Sequence, residues 1–389
     1  MATAIAITIF AVACGGSTAG SAKVAQGVTK DTILVGGNVM LTGAAPVAGA
    51  GFKGGLDAAI AEINAKGGIN GRKFKLNMLD NGFEAARSVA NMRRLGDDDK
   101  VYAIVVPAGS AILPGSWPYV KQTGIPVWAP TLPPDPNLPS VFMMSTSHTD
   151  QAKVLVDFLK SKNVSTLGYV GQDNDLGQSL LDGVNVQVPK AGMKLVATEK
   201  TQAGSPNVAA AVNNLFKAKP DAVMIGTDNT QAGLIIKQSK ALGFNPIFVG
   251  DSTTASTGSA GVTSVAGDAA DGMYGSAALA LPTDTIPELQ NYRKAMQQYA
   301  PDQIDNAYAL QSYSYMQTFF EVIKRQGSDL TWTNFTKVAE SLKGVKTGLL
   351  PPVNCGPLPG GHTCTQGAKI SQFTNKKWTT ITPDWLQPK

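Results

Sequence analysis

From Asp31 onward, short apolar runs rich in β-branched residues alternate with helix-length segments, and the alternation starts twice. In the first block, strands are expected at 33–36, 73–79, 102–106 and 126–128, with helices at 50–64 and 84–95. The second block opens on a helix at 150–160. Strands at 166–170, 194–198, 222–225 and 247–249 follow, separated by helices at 177–189, 206–216 and 231–242. Strands that alternate with helices pair in parallel, because each crossover lays a helix over one face of the sheet. Two blocks therefore predict an α/β chain with two doubly wound parallel sheets. Local signals agree. Phe52, Leu56, Ala59, Ile60 and Ile63 share one face of a helix. Gly67-Gly68 ends that helix, and Asn70-Gly71 turns into the next strand.

The last third breaks the rhythm with three helices in succession, at 287–299, 306–325 and 332–341. Tyr308, Tyr313, Tyr315, Met316, Phe319, Phe320 and Ile323 make the second of these apolar nearly all round, the mark of a buried helix. Strands at 369–373 and 378–381 around Asn375-Lys376 read as a terminal hairpin.

Composition excludes several partners. The 389 residues suffice for two or three domains. A net charge of +5 over that length is too weak for a nucleic-acid footprint. His148 and His362 are the only histidines, so no His-rich metal site is expected, and no cofactor. No internal run reaches the roughly 18 apolar residues of a membrane span.

The first residues form a separate unit. Residues 2–13 are almost wholly apolar, which fits the core of a secretion signal over 1–13. Ala11-Val12-Ala13-Cys14-Gly15 resembles a bacterial lipobox, so Cys14 is the expected lipidation site and the only membrane attachment. Residues 14–30 begin Gly/Ser/Thr/Ala-rich and read as a flexible tether. Cys355 and Cys364 lie in a segment rich in turn formers. In an exported protein they are expected to pair, with two free thiols as the alternative.

Two motifs suggest chemistry. Gly49-Ala50-Gly51-Phe52-Lys53-Gly54 satisfies G-x-G-x-x-G, and Asp80 ends the second strand as a ribose-binding acid would. A dinucleotide site, however, needs its glycines directly after the strand, and here the expected strand ends at Gly36. Gly250-Asp251-Ser252 has the look of an esterase nucleophile, but no base and orienting acid accompany it in the linear sequence. Neither a dehydrogenase nor a hydrolase is favoured, and the chain is expected not to be an enzyme.

The segment LTGAAPVAGAGFKGGLDAAIAEINAKGGINGRKFKLNMLDN resembles the opening of the periplasmic leucine/isoleucine/valine-type binding proteins. IIKQSKALGFNPIFVGD and VAGDAADGMYG match later parts in the right order. The resemblance implies the type I Venus-flytrap fold, two lobes joined by three strand crossings. Lobe one would hold 31–146 and 277–346, and lobe two 147–276 and 347–389. It implies a monomeric solute receptor outside the cytoplasm that hands a small molecule to the permease subunits of an ABC importer. A ligand sensor of the same fold is the alternative. Open parallel sheets bind ligands beyond the C-terminal ends of their strands. The family's contacts fall here on Ser110, Ala111, Thr131, Leu176, Asp228, Asn229, Asp251 and Ser252. Leu176 stands where a stacking Tyr is common, and Ser252 where an acid commonly pairs an ammonium. Asp228 or Asp251 is the expected replacement for that acid; the alternative is a ligand that is not an α-amino acid.

Overall fold

The computed structural model describes residues 24–131, 137–255, 261–356 and 361–389. The expected signal peptide, Cys14 and most of the tether lie outside the described residues, as do 132–136 after Thr131. The chain runs β1 (Thr32–Val39), α1 (Pro46–Ala65), β2 (Lys73–Asp80), α2 (Ala85–Arg93), β3 (Ala103–Val105), α3 (Trp117–Thr123), β4 (Val127–Trp128) and β5 (Val141–Met143). It continues as α4 (His148–Ser161), β6 (Thr166–Gln172), α5 (Asp175–Lys190), β7 (Lys194–Thr201), α6 (Ala209–Ala218), β8 (Ala222–Gly226), α7 (Asn229–Ala241), β9 (Ile247–Gly250), α8 (Val262–Ala266) and β10 (Tyr274–Ala277). It closes with α9 (Pro287–Tyr299), α10 (Ala307–Gln326), α11 (Trp332–Glu340), β11 (His362–Thr363), β12 (Lys369–Thr374) and β13 (Lys377–Thr380).

Two sheets result. The first has six strands in the order β11-β5-β4-β3-β1-β2, all parallel. The second has seven, β13-β12-β10-β9-β8-β6-β7, in which β12 runs antiparallel to β10 and β13. The β12–β13 turn is made by Asn375 and Lys376, both at positive φ (51° and 62°), the geometry of a tight primed turn.

Trp128 on β4, fully buried, centres the core of lobe one. Its ring meets Phe142, Phe319 and Phe335 at centroid distances of 5.6, 6.0 and 5.7 Å. Its Nε1 donates to Tyr315 O at 3.1 Å, so the indole carries no unpaired donor into the core. Phe319 belongs to α10, which is buried along most of its length, with its first turn at Tyr308 and its last turn at Lys324 and Arg325 opening to solvent.

The G-x-G-x-x-G glycines have a packing role. A Cβ on Gly49 would lie 1.9 Å from Met40 O, and one on Gly51 2.4 Å from Asn306 Oδ1. Gly55, one residue past the motif, would meet Ala309 O at 2.1 Å. The motif thus lets α1 approach the β1 end and α10.

The chain passes between lobes after β5, after β10 and before β12. The first and third passages run side by side: Thr146 donates to Gly367 O (2.7 Å) and Thr365 to Met144 O (2.8 Å). The expected return to lobe two at 347 falls later in the structure. β11 pairs with β5, and Cys364 N donates to Met143 O at 2.8 Å. The segment around Cys355 and Cys364 therefore packs with lobe one, where both cysteines are buried and joined by a disulfide. A two-residue strand set among turn formers carries no periodic signal, which is why the sequence places the passage too early.

Candidate functional site

The C-terminal ends of β1, β3 and β4 form the lobe-one rim, and those of β6, β8 and β9 form the lobe-two rim. The lobe-one rim is shaped mainly by backbone. Val106, directly after β3, has φ 48°, and Ala129, directly after β4, has φ 56°. A positive φ is a genuine outlier for a β-branched residue, and such strain concentrates at ligand clamps. Both strands thus turn sharply where they end. The two loops are then tied together. Ser110 Oγ donates to Thr131 O (2.8 Å), Gly109 N to Thr131 Oγ1 (3.0 Å) and Thr131 N to Pro107 O (3.2 Å). Ser110 and Ala111 are exposed on this loop, and Thr131 is half-buried behind them. The Ser110 hydroxyl keeps its lone pairs as acceptors while its proton serves Thr131.

Asp80 fixes the third lobe-one loop. It accepts from Leu41 N (2.9 Å), Thr42 N (3.1 Å), Thr42 Oγ1 (2.5 Å), Gly82 N (2.9 Å) and Arg87 (2.9 Å). Partial burial pushes its pKa up, but the Thr42 hydroxyl, the Gly82 and Thr42 amides and Arg87 outweigh it and pull the value down to about 2. With both oxygens so used, Asp80 has no acceptor left for a ribose.

The lobe-two rim is built instead from side chains. Asp228 caps α7: its Oδ1 accepts from Thr230 N (2.9 Å) and Gln231 N (3.0 Å), and Gln172 donates to its Oδ2. Gln172, the last residue of β6, also donates to Gln231 Oε1 (3.1 Å) and accepts from Asn174 (3.0 Å). Thr201 donates to the same Gln231 oxygen at 3.0 Å. The ends of β6, β7 and β8 are thereby linked by one amide–carboxylate network. Asn229 follows Asp228, half-buried in the first turn of α7. Leu176 sits half-buried in the first turn of α5, against the core of this lobe.

Asp251, directly after β9, is fully buried. Its Oδ1 accepts from Thr253 N (3.2 Å) and Thr254 N (2.9 Å), and its Oδ2 meets His148 Nδ1 at 2.5 Å. Burial pulls the His148 pKa down, but the hydrogen bond and charge of Asp251 outweigh it, and the imidazole titrates above its ordinary value. Ser252 is half-buried, its N–H donating to Gln151 Oε1 at 3.0 Å.

The structure therefore joins Ser110 with Thr131 on one rim. On the other it joins Asp228 to Gln172, and Asp251 to His148. Among the described residues, no hydrogen bond joins the two rims. Asp228 and Asp251, the acids expected to face an ammonium, each hold internal hydrogen bonds on both carboxylate oxygens. Sequence reasoning missed His148, Gln172 and Gln151. A polar residue ending a buried strand could have marked Gln172; the His148–Asp251 pair spans 103 residues and left no local signal.

The geometry is that of two parallel-sheet lobes, each with a set of loops at the C-terminal ends of its strands. A family model for periplasmic binding proteins matches residues 32–377. An amino acid binding protein of Pseudomonas aeruginosa is 31% identical over 219 residues, covering 54% of this chain and 58% of that protein. A Leu/Ile/Val-binding protein of Citrobacter freundii is 28% identical over 228 residues, covering 56% of this chain and 60% of that one. The matched stretch is thus under two thirds of either relative's length. Among solved structures, a branched chain amino acid ABC transporter protein from Thermus thermophilus with bound valine superposes with a TM-score of 0.74. It is 16% identical, over 92% of this chain and 97% of that one. A fatty acid ABC transporter substrate-binding protein from Thermomonospora curvata gives 0.74 at 18% identity, over 94% and 95%. These likenesses show the fold, the type I periplasmic binding protein fold expected from the sequence. The family model spans both sheets and most of the chain, and describes binding proteins, not enzymes: this chain belongs to the periplasmic binding protein family.

Proposed function

We propose that this protein is a receptor outside the cytoplasm that takes a small polar or amphipathic solute between its lobes and delivers it to an ABC importer. An amino acid, or a related amide or carboxylate, is the proposed ligand class. The observation that carries this reading is the placement of two preorganised rims at the C-terminal ends of two parallel sheets, one hydroxyl- and backbone-lined, the other networked through Gln172, Asp228 and Asp251. Contacts from both rims to one ligand favour the closed arrangement, so the ligand biases the hinge by its differential affinity. Lipidation at Cys14 tethers the receptor to the membrane, the chain works as a monomer, and the permease subunits are its protein partners.

A thermal-shift screen of amino acids, amides, carboxylates and polyols tests the reading. Ligand that binds the native state raises Tm by mass action, about 2.7 kcal/mol of added stability at a hundredfold excess over Kd. A hit whose shift disappears when Ser110 and Gln172 are both replaced by Ala supports the cleft. A panel with no hit, or a hit indifferent to both rims, overturns it. Mass spectrometry of membrane-extracted protein checks the anchor, with diacylglycerol on Cys14 as the expected result.

A further inference from the structure

The acids at the lobe-two rim do not offer what an ammonium group needs. Asp228 spends one oxygen on two backbone amides and the other on Gln172. Asp251 is fully buried and spends its oxygens on Thr253, Thr254 and His148. Asp173 is 70% exposed and paired with Lys200, and Asp175 is exposed in the first turn of α5; charges so open to water hold a partner weakly.

What the rim does offer is a donor. His148 is the first residue of α4, and α4 runs back to the start of β6, so its N-terminal turn lies at the same sheet edge as Asp251. The imidazole is held from behind by Asp251 on Nδ1 while its side chain stays 38% exposed. Its Nε2 has no hydrogen-bond partner among the described residues. A buried carboxylate on Nδ1 fixes the ring's orientation and keeps the proton on Nδ1, so Nε2 is an acceptor in the neutral ring and becomes a charge-assisted N–H donor in the imidazolium that Asp251 stabilises. The first turn of α4 adds the positive end of a helix dipole, which favours an anion at that place. The other charges near the pair do not compete: Asp150 on the same helix is bound by Lys153 at 2.9 Å, and the Tyr169 hydroxyl donates to Gly177 O.

We propose that His148, positioned by Asp251, is the anion-recognising residue of the cleft, and that the ligand is an amphipathic carboxylate without a compensating ammonium group. This rests on the receptor reading and narrows its ligand class. Calorimetric titration with three probes of one carbon skeleton tests it: 4-methylpentanoate, L-leucine and 4-methylpentanamide. Wild-type protein should bind 4-methylpentanoate about tenfold to a hundredfold more tightly than the other two. His148→Gln should remove most of that preference, leaving the amide unchanged. Asp251→Asn, which keeps the shape and removes the charge behind the ring, should weaken 4-methylpentanoate in the same direction if His148→Gln does not fold. In wild type, the His148 ring resonances should move on adding 4-methylpentanoate. Those of His362, 5% exposed and stacked on Phe142, should stay still. L-leucine binding more tightly than 4-methylpentanoate overturns the proposal while leaving the receptor intact. So does carboxylate affinity that is equal in wild type and His148→Gln. Failure of all three probes overturns the ligand class as well, and only a blank solute screen alongside it removes the receptor reading.

Discussion

The two rims of the cleft solve one problem by different means. In lobe one the loops after β1, β3 and β4 are aimed through their backbone groups: left-handed turns at Val106 and Ala129, a Gly109 amide on the Thr131 hydroxyl, and three amides gathered by the Asp80 carboxylate. In lobe two the loops after β6, β8 and β9 are aimed by side chains that bond to one another, through Gln172, Gln231, Asp228, Asp251 and His148. A backbone-shaped rim tolerates side-chain change but depends on the packing beneath it. A side-chain network is exposed to single substitutions, because each lost partner leaves another polar group unsatisfied. The comparison separates substitutions by which lobe they should disturb and by whether stability or binding should move.

The largest effect is expected beneath the lobe-one rim. The disulfide closes a short loop, with a sequence separation of 9, in the core that holds β5 and β11. Cys355→Ser should cost about 2–3 kcal/mol of stability by the chain-entropy model. Because the loop makes no described contact with either rim, ligand affinity should hold within about twofold. Chemical denaturation beside calorimetry decides this. An affinity loss as large as the stability loss would mean that the disulfide supports the cleft directly.

Next comes the contact between α1 and α10. Gly55→Ala places a methyl 2.1 Å from a backbone oxygen that has no rotamer to change. Overpacking of this kind costs about 1–3 kcal/mol. A neutral result would show that the helices can part, and that the lobe-one rim rests on less rigid packing than the structure implies.

In lobe two, Asp228→Ala removes the cap of α7 and a partner of Gln172. A lost cap costs about 0.5–2 kcal/mol. If Asp228 shapes the loop, affinity should fall equally for a ligand and for its analogue with nitrogen replaced by carbon. A loss confined to the nitrogen-bearing ligand would return Asp228 to the contact role that the sequence suggested.

That contrast shows where the sequence was legible. The alternation of strands and helices, the hairpin at Asn375-Lys376 and the nearly all-round apolar helix over α10 express local periodicity, and each appears in the structure within a few residues of its expected place. The positions of the loops at the C-terminal strand ends were legible too, since parallel topology gathers them at one sheet edge whatever the side chains are. The roles within the loops were not. An Asp two or three residues before a helical N–H looks the same in sequence whether it caps that helix or faces a ligand. His148 and Asp251 meet only through the folded sheet edge. The G-x-G-x-x-G run misleads for the same reason, because close approach to a helix and close approach to a phosphate both require the absence of a Cβ.

The smallest effect separates the rims by acid rather than by mutation alone. Asp80 has its pKa pulled from 3.8 to about 2 in the folded protein. The depressed value means that the unfolded chain takes up its proton first as pH falls. The stabilisation is therefore complete well above pH 3.8 and drains away between there and about pH 2. The carboxylate lies at the surface end of β2, where water screens the ion pair with Arg87, so its contribution is modest. Asp80→Asn keeps the shape and loses the charge. At neutral pH it should cost under about 1 kcal/mol, and its denaturation curve should converge on wild type as pH drops through this window. Binding should weaken slightly at neutral pH, because Leu41 and Thr42 lose the acceptor that holds their loop in place. Parallel stability curves for wild type and variant from pH 6 to 2 would show that Asp80 carries no net charge stabilisation. The lobe-one rim would then be held by its backbone turns and the Ser110–Thr131 tie alone.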